Sequence, residues 1–172
     1  MSDNRNKAKT RNTKGADDRE ALLAPAAQLC FALYSTSQAM TAAYRPFLDR
    51  MGITYPQYLV LLALWEQPGR SIRDLCELLQ LGYGTLSPLV KRLTIAGLIT
   101  ADRSATDRRA VTLTPTAAGY RLKPASIEMI EAVTAAAGAT NEEVQEMRAL
   151  IVTLRDQLEI AAQTLARANV GA

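Results

Sequence analysis

The first 20 residues, MSDNRNKAKTRNTKGADDRE, carry charge and polarity without any apolar period, and this predicts a disordered tail. From Leu22 the spacing becomes helical. Leu22, Ala26, Leu29, Leu33 and Met40 recur at steps that suit one face, with Cys30, Tyr34 and Ser37 on the adjoining stripe. A second, short helix is expected from about Tyr44 to Met51, stopped by Gly52. TYPQYLVLLALWEQPG then predicts a strongly apolar helix with Pro56 in its first turn and Pro68-Gly69 at its end. In SIRDLCELLQLG, Ser71 and Asp74 have near capping-box spacing, and Ile72, Leu75, Cys76 and Leu79 take core positions.

A break is expected at Gly82-Tyr83-Gly84, followed by an amphipathic helix in TLSPLVKRLTIAGLI with Leu86, Leu89, Val90 and Leu93 inward. Two short helices joined by a glycine-containing turn suggest a helix-turn-helix. After Gly97 the pattern turns to strand: LITADR and AVTLTPT flank the polar tip SATDRR, which predicts a β-hairpin wing. Pro115 cannot donate to a ladder, so the returning strand is expected to end at Thr114. The remainder reads as helix interrupted near Gly138-Ala139, with Thr140 or Asn141 as N-cap and Glu142-Glu143 suited to the positive helix start. Val144, Met147, Ile151, Leu154, Leu158, Ala161 and Leu165 then follow a heptad-like seam. Such a stripe needs a cover. The first helix and a second copy of the chain supply it in the expected homodimer, the alternative being a terminal helix folded wholly onto its own domain.

The fold class is therefore mainly α with a small β-hairpin wing: a winged helix-turn-helix at about residues 53–122, framed by dimerisation helices at about 21–51 and 123–168. Composition narrows the function. The chain has 172 residues, 48% hydrophobic and 22% charged, as expected for one soluble domain. No signal-type apolar segment or spanning run is read, so the expected location is cytoplasmic, away from the membrane. Histidine is absent. This removes Ser-His and Cys-His catalytic pairs and nearly every zinc site, so neither an enzyme, a metal nor a cofactor is expected. The net charge of +3 is compatible with a polyanionic partner, but the tail alone could supply it.

Two cysteines in a chain without a signal segment argue against a structural disulfide. By residue statistics alone, Cys30 is a small buried hydrophobe more often than a reactive thiol. Cys76, between Leu75 and Leu79, reads as core packing.

Helix-turn-helix, charged wing and terminal helices together resemble the MarR family of bacterial transcription regulators, with Asp107-Arg108-Arg109 matching its Asp-x-Arg wing mark. Within that family LCFALYSTSQAMTAAYRPFLDRMGITYPQYLVLLALWE and GTLSPLVKRL are similar to the organic hydroperoxide-sensing repressors. The resemblance implies a dimeric repressor of double-stranded DNA, reading an imperfect palindrome. It makes Cys30 the peroxide sensor. Tyr44 and Tyr55 approach it from the partner subunit, and Tyr34 adds to the same pocket. A thiolate is the reactive species, and phenol hydroxyls donating to sulfur favour that form. With no cysteine after Lys123, the chain resembles the one-cysteine type, whose oxidised sulfur condenses with a small cellular thiol or oxidises further.

The same resemblance places Thr85, Ser87, Pro88, Lys91 and Arg92 on the DNA-facing helix. It places Arg109 in the minor groove and Asp107 in support of the hairpin, with Arg108 between them. Gly82-Tyr83 and Pro115 depart from the family pattern. Three rivals remain: a family member that binds phenolic or lipophilic effectors, a thiol peroxidase, and a structural helical scaffold.

Overall fold

The computed structural model describes residues 20–103 and 111–170. It divides into two compact units, Met1–Pro46 and Phe47–Ala172.

In the first unit the helix expected from Leu22 is delayed. Pro25 forces extended backbone on Ala24 (φ −65°, ψ 131°), so Pro25–Ala27 form one 3-10 turn. Helix α1 then runs Leu29–Met51 without a break. The separate helix expected at Tyr44 does not exist. Ala42 and Ala43 are strong helix formers, Thr41 returns its hydroxyl to the Ser37 carbonyl at 2.8 Å, and Pro46 is absorbed within the helix. Leu48 is the buried residue of α1; Leu29, Phe31, Tyr34 and Met40 are exposed.

In the second unit α1 ends at Gly52 (φ 69°). Ile53 N–H donates to the Leu48 carbonyl at 3.1 Å, and both side chains are buried, a Schellman end with its apolar clasp. Helix α2, Tyr55–Glu66, starts with Gln57 Oε1 accepting from Thr54 N–H at 2.8 Å, and it buries Val60, Leu61 and Leu64 completely.

Strand β1, Arg70–Ser71, was not expected from the sequence, because two residues give no alternation to read. It leads into α3, Ile72–Leu79, whose capping box is closed by Asp74 N–H to Ser71 Oγ (3.2 Å) and Ser71 N–H to Asp74 Oδ2 (2.8 Å). The Ser71 backbone N–H, and after it the Ser71 side-chain hydrogen bond, hold the Asp74 carboxyl below its ordinary range.

The turn lies earlier than expected. Gln80 takes the left-handed conformation (φ 53°, ψ 38°) and Gly82 is the extended N-cap of α4, Tyr83–Ile95, so Tyr83 and Gly84 belong to its first turn. Leu86, Leu89, Val90 and Leu93 are buried, as their spacing predicts.

Strands β2, Ile99–Arg103, and β3, Val111–Pro115, form the expected hairpin, and β1 joins it in an antiparallel sheet of order β1-β3-β2. Contrary to expectation, β3 includes Pro115, opposite Ile99. The next pair carries the ladder bond, Thr116 N–H to the Leu98 carbonyl at 3.0 Å, so at Pro115 no donor is needed on that side.

Thr116 caps the short α5, Ala117–Tyr120; α6 spans Lys123–Ala136 and α7 spans Asn141–Val170. Thr140 caps α7, with Glu143 N–H to its Oγ1 at 3.2 Å and its own N–H to Glu143 Oε2 at 2.7 Å. On α7 the expected seam is open to solvent at Met147, Ile151, Leu158 and Leu165.

The core lies where α2, α3, α4 and the sheet meet, with Leu61, Leu64, Leu75, Leu86, Leu93, Ile99 and Leu113 all at 1% exposure or less. Gly119 secures its edge. A Cβ there would lie 2.1 Å from the Leu98 carbonyl oxygen, the acceptor of the Thr116 bond. Gly119→Ala is expected to lower stability by about 1–3 kcal/mol, the range for forced overpacking, as measured by urea unfolding. An unchanged midpoint would show that this corner yields freely.

Candidate functional site

On α4 the buried leucines fix which side faces solvent. At about 100° per residue, Gly84, Pro88, Lys91, Arg92 and Ile95 fall within one sector of about 100°, opposite Leu86 and Leu93, with Thr85 adjoining it. Thr85, Pro88, Lys91 and Arg92 are exposed; Ser87 is half-buried on the flank. Four of the five expected contact residues are thus brought to or beside one open face, and Ser87 stands to its side. Sequence reasoning did not include Tyr83, 65% exposed on the leading turn, or Ile95, 76% exposed on the last. Locating the start of α4 at Gly82 is what reveals the first. Asp107, Arg108 and Arg109 lie outside the described residues, as does the N-terminal tail.

The thiol site is built on α1. Cys30 is exposed, with Sγ 3.8 Å from Gln28 Oε1, and Tyr34 stands one turn further on, exposed as well. Tyr44 follows Cys30 by fourteen residues on the same helix, which returns it to within about 40° of the Cys30 direction but places it about 21 Å along the axis. Cys30 and Tyr34 are therefore neighbours, and Cys30 and Tyr44 of one chain are not. Tyr44 is half-buried.

Tyr55 belongs to the second unit, in the first turn of α2, where burial pushes its phenol pKa up. Its ring centroid is 6.2 Å from that of Tyr58, which meets Trp65 edge-on at 6.3 Å. Cys76 is partly buried on α3.

A cavity of about 350 Å³ opens along α2 and α6, lined by Tyr58, Leu62, Trp65 and Glu66 on one side and Lys123, Ser126, Ile127 and Ile130 on the other. The Trp65 Nε1 beside it is buried without a hydrogen-bond partner among the described residues. Among the described residues, no group of three or more His, Cys, Asp or Glu is placed to hold a metal, and no helix is long and apolar enough to cross a membrane.

The winged arrangement has counterparts in known proteins. A family model described as "MarR family" matches residues 51–110. The organic hydroperoxide resistance transcriptional regulator of Bacillus subtilis (strain 168) is 39% identical over 131 residues, 76% of this chain and 89% of that protein. The HTH-type transcriptional regulator TtmR of Methylorubrum extorquens (strain PA1) is 38% identical over 148 residues, 86% of this chain and 74% of the relative. The solved structure of reduced AbfR bound to DNA matches with a TM-score of 0.67 at 33% identity, covering 78% of this chain and 92% of that one. The chain belongs to the MarR family.

If the open face of α4 meets a phosphate backbone, each cation on it releases counterions. Lys91→Ala should then weaken binding on every duplex alike and lower the slope of log K against log salt by about 1. A loss confined to one sequence, with the slope unchanged, would assign Lys91 to base readout instead.

Proposed function

We propose that the chain is a dimeric DNA-binding transcriptional repressor that senses organic hydroperoxides through oxidation of Cys30 and releases its operator. The observation that carries this reading is the exposure of Cys30 on α1, where a cysteine kept for packing would be buried. The likeness to a regulator named for organic hydroperoxide resistance supports it. So does the DNA-bound state of AbfR.

In this reading residues of about 53–122 form the DNA-binding part, and about 21–51 and 123–168 join two copies along the solvent-open seam of α7. Tyr34 shares the pocket of its own Cys30, while Tyr44 and Tyr55 reach the sulfur from the other copy. Phenol hydroxyls donating to sulfur favour the thiolate. The thiolate attacks the terminal oxygen of ROOH; the S–O bond forms as O–O breaks, the hydroxyl passes to sulfur with its proton, and RO⁻ leaves and takes a proton from solvent to become ROH. Cysteine sulfenic acid remains, and a small cellular thiol converts it to a mixed disulfide with loss of water.

Thr85, Ser87, Pro88, Lys91 and Arg92 meet the major groove of double-stranded DNA, and Asp107, Arg108 and Arg109 form the wing. Two copies match an imperfect palindrome with half-sites about 34 Å apart. Changing the contacts around Cys30 rotates the paired reading helices out of register, a rigid-body switch.

A second reading draws on the cavity between α2 and α6. Its volume and apolar walls suit a small phenolic or lipophilic effector, and the Trp65 N–H is a buried donor without a partner among the described residues. One experiment separates the two: gel shift on wild type and Cys30→Ser, with cumene hydroperoxide or an aromatic acid, paired with intact mass. The peroxide reading expects DNA release with oxygen or thiol added to Cys30, and no peroxide response in Cys30→Ser. A variant that still responds fully to peroxide would remove Cys30 as the sensor. Release by the acid alone would favour the cavity.

A further inference from the structure

The turn ahead of α4 holds a residue whose backbone and side chain are both committed. Gln80 is the one non-glycine residue with positive φ among the described residues. Glycine meets that conformation without steric cost, and a turn between two such helices often supplies one. Glutamine adopts it against its Cβ. Its side chain does what glycine cannot: Nε2 donates to Glu159 Oε1 on α7 at 2.9 Å, across 79 positions of chain.

The acceptor is itself oriented. Arg155 Nε lies 3.9 Å from the same oxygen, and Arg155 is held by Asp156 at 2.7 Å. On the other side of Gln80, Leu81 N–H is fixed to the Cys76 carbonyl at 3.1 Å, and Gly82 is already the N-cap of α4. A movement of Gln80 is therefore passed to the start of α4 with little slack.

We propose that Gln80 and Glu159 are positioning residues, a strut by which terminal helix α7 sets the orientation in which α4 meets DNA. This rests on the DNA-binding reading above, and neither residue touches DNA in it. With the strut in place, the whole population presents α4 in one orientation; without it, only a fraction does, and apparent affinity falls by that fraction.

The test uses the full chain and a duplex that the wild type has enriched from a random DNA library. Glu159→Gln and Glu159→Met are both uncharged and close in size, and only the first keeps an acceptor oxygen. Glu159→Met is expected to bind about three- to tenfold more weakly than Glu159→Gln, the effect of one net hydrogen bond. Gln80→Gly relieves the backbone strain, so it should melt no lower than wild type while losing DNA affinity as Glu159→Met does. The double variant Gln80→Gly with Glu159→Met should be no weaker than either single. Equal affinity of Glu159→Met and Glu159→Gln, or a double that multiplies the two losses, would overturn the strut. Failure of the wild type to enrich any duplex would instead sink the DNA-binding reading beneath it.

Discussion

The stiffness of α1 governs the chemistry proposed for this protein. A continuous helix from Leu29 to Met51 holds Cys30 and Tyr44 on nearly the same side but about 21 Å apart, and no side-chain rotamer closes that distance. A Tyr44 phenol can therefore meet the Cys30 sulfur only if it comes from another copy. The same helix leaves Leu29, Phe31, Tyr34 and Met40 exposed, and α7 leaves Met147, Ile151, Leu158 and Leu165 exposed. Apolar surface of this extent on long helices asks for a partner; in the proposed dimer a second copy covers it and completes the thiol site.

The DNA-facing part is constrained differently, by its own core. Leu86 and Leu93 are fully buried against a core that includes Leu61, Leu64 and Leu75, so α4 cannot roll about its axis without exposing them. That fixes the direction of Lys91 and Arg92. Gly119 and the Thr116 bond close the corner where the sheet hands over to the terminal helices. The wing strands and α4 therefore share one rigid body, as a reading head that must present several contacts at once requires.

Much of this was legible in the sequence because period and capping are local. The spacing of Leu86, Leu89, Val90 and Leu93 gave the buried face of α4, and Ser71 with Asp74 gave the start of α3. Misreadings came where a breaker residue was judged without its surroundings. Pro115 looked like a strand end, yet its place opposite Ile99 needs no donor. Gly82 and Gly84 drew attention from Gln80, where the positive φ actually falls. The Gln80–Glu159 bond joins residues too distant in sequence for any periodicity to connect them. For the thiol site, the family resemblance supplied the tyrosines; helix geometry supplies the reason that one chain does not contain the pair.

Mixed dimers test that central claim most directly. Cys30→Ser chains keep Tyr44 but lack the sulfur, and Tyr44→Phe chains keep the sulfur but lack the phenol. Each population alone should react slowly with cumene hydroperoxide, or not at all, at Cys30. If the site is completed across two copies, unfolding and refolding the two together should restore wild-type oxidation kinetics in up to one thiol per mixed dimer, followed by intact mass. A mixture that oxidises no faster than Tyr44→Phe alone would contradict a shared site.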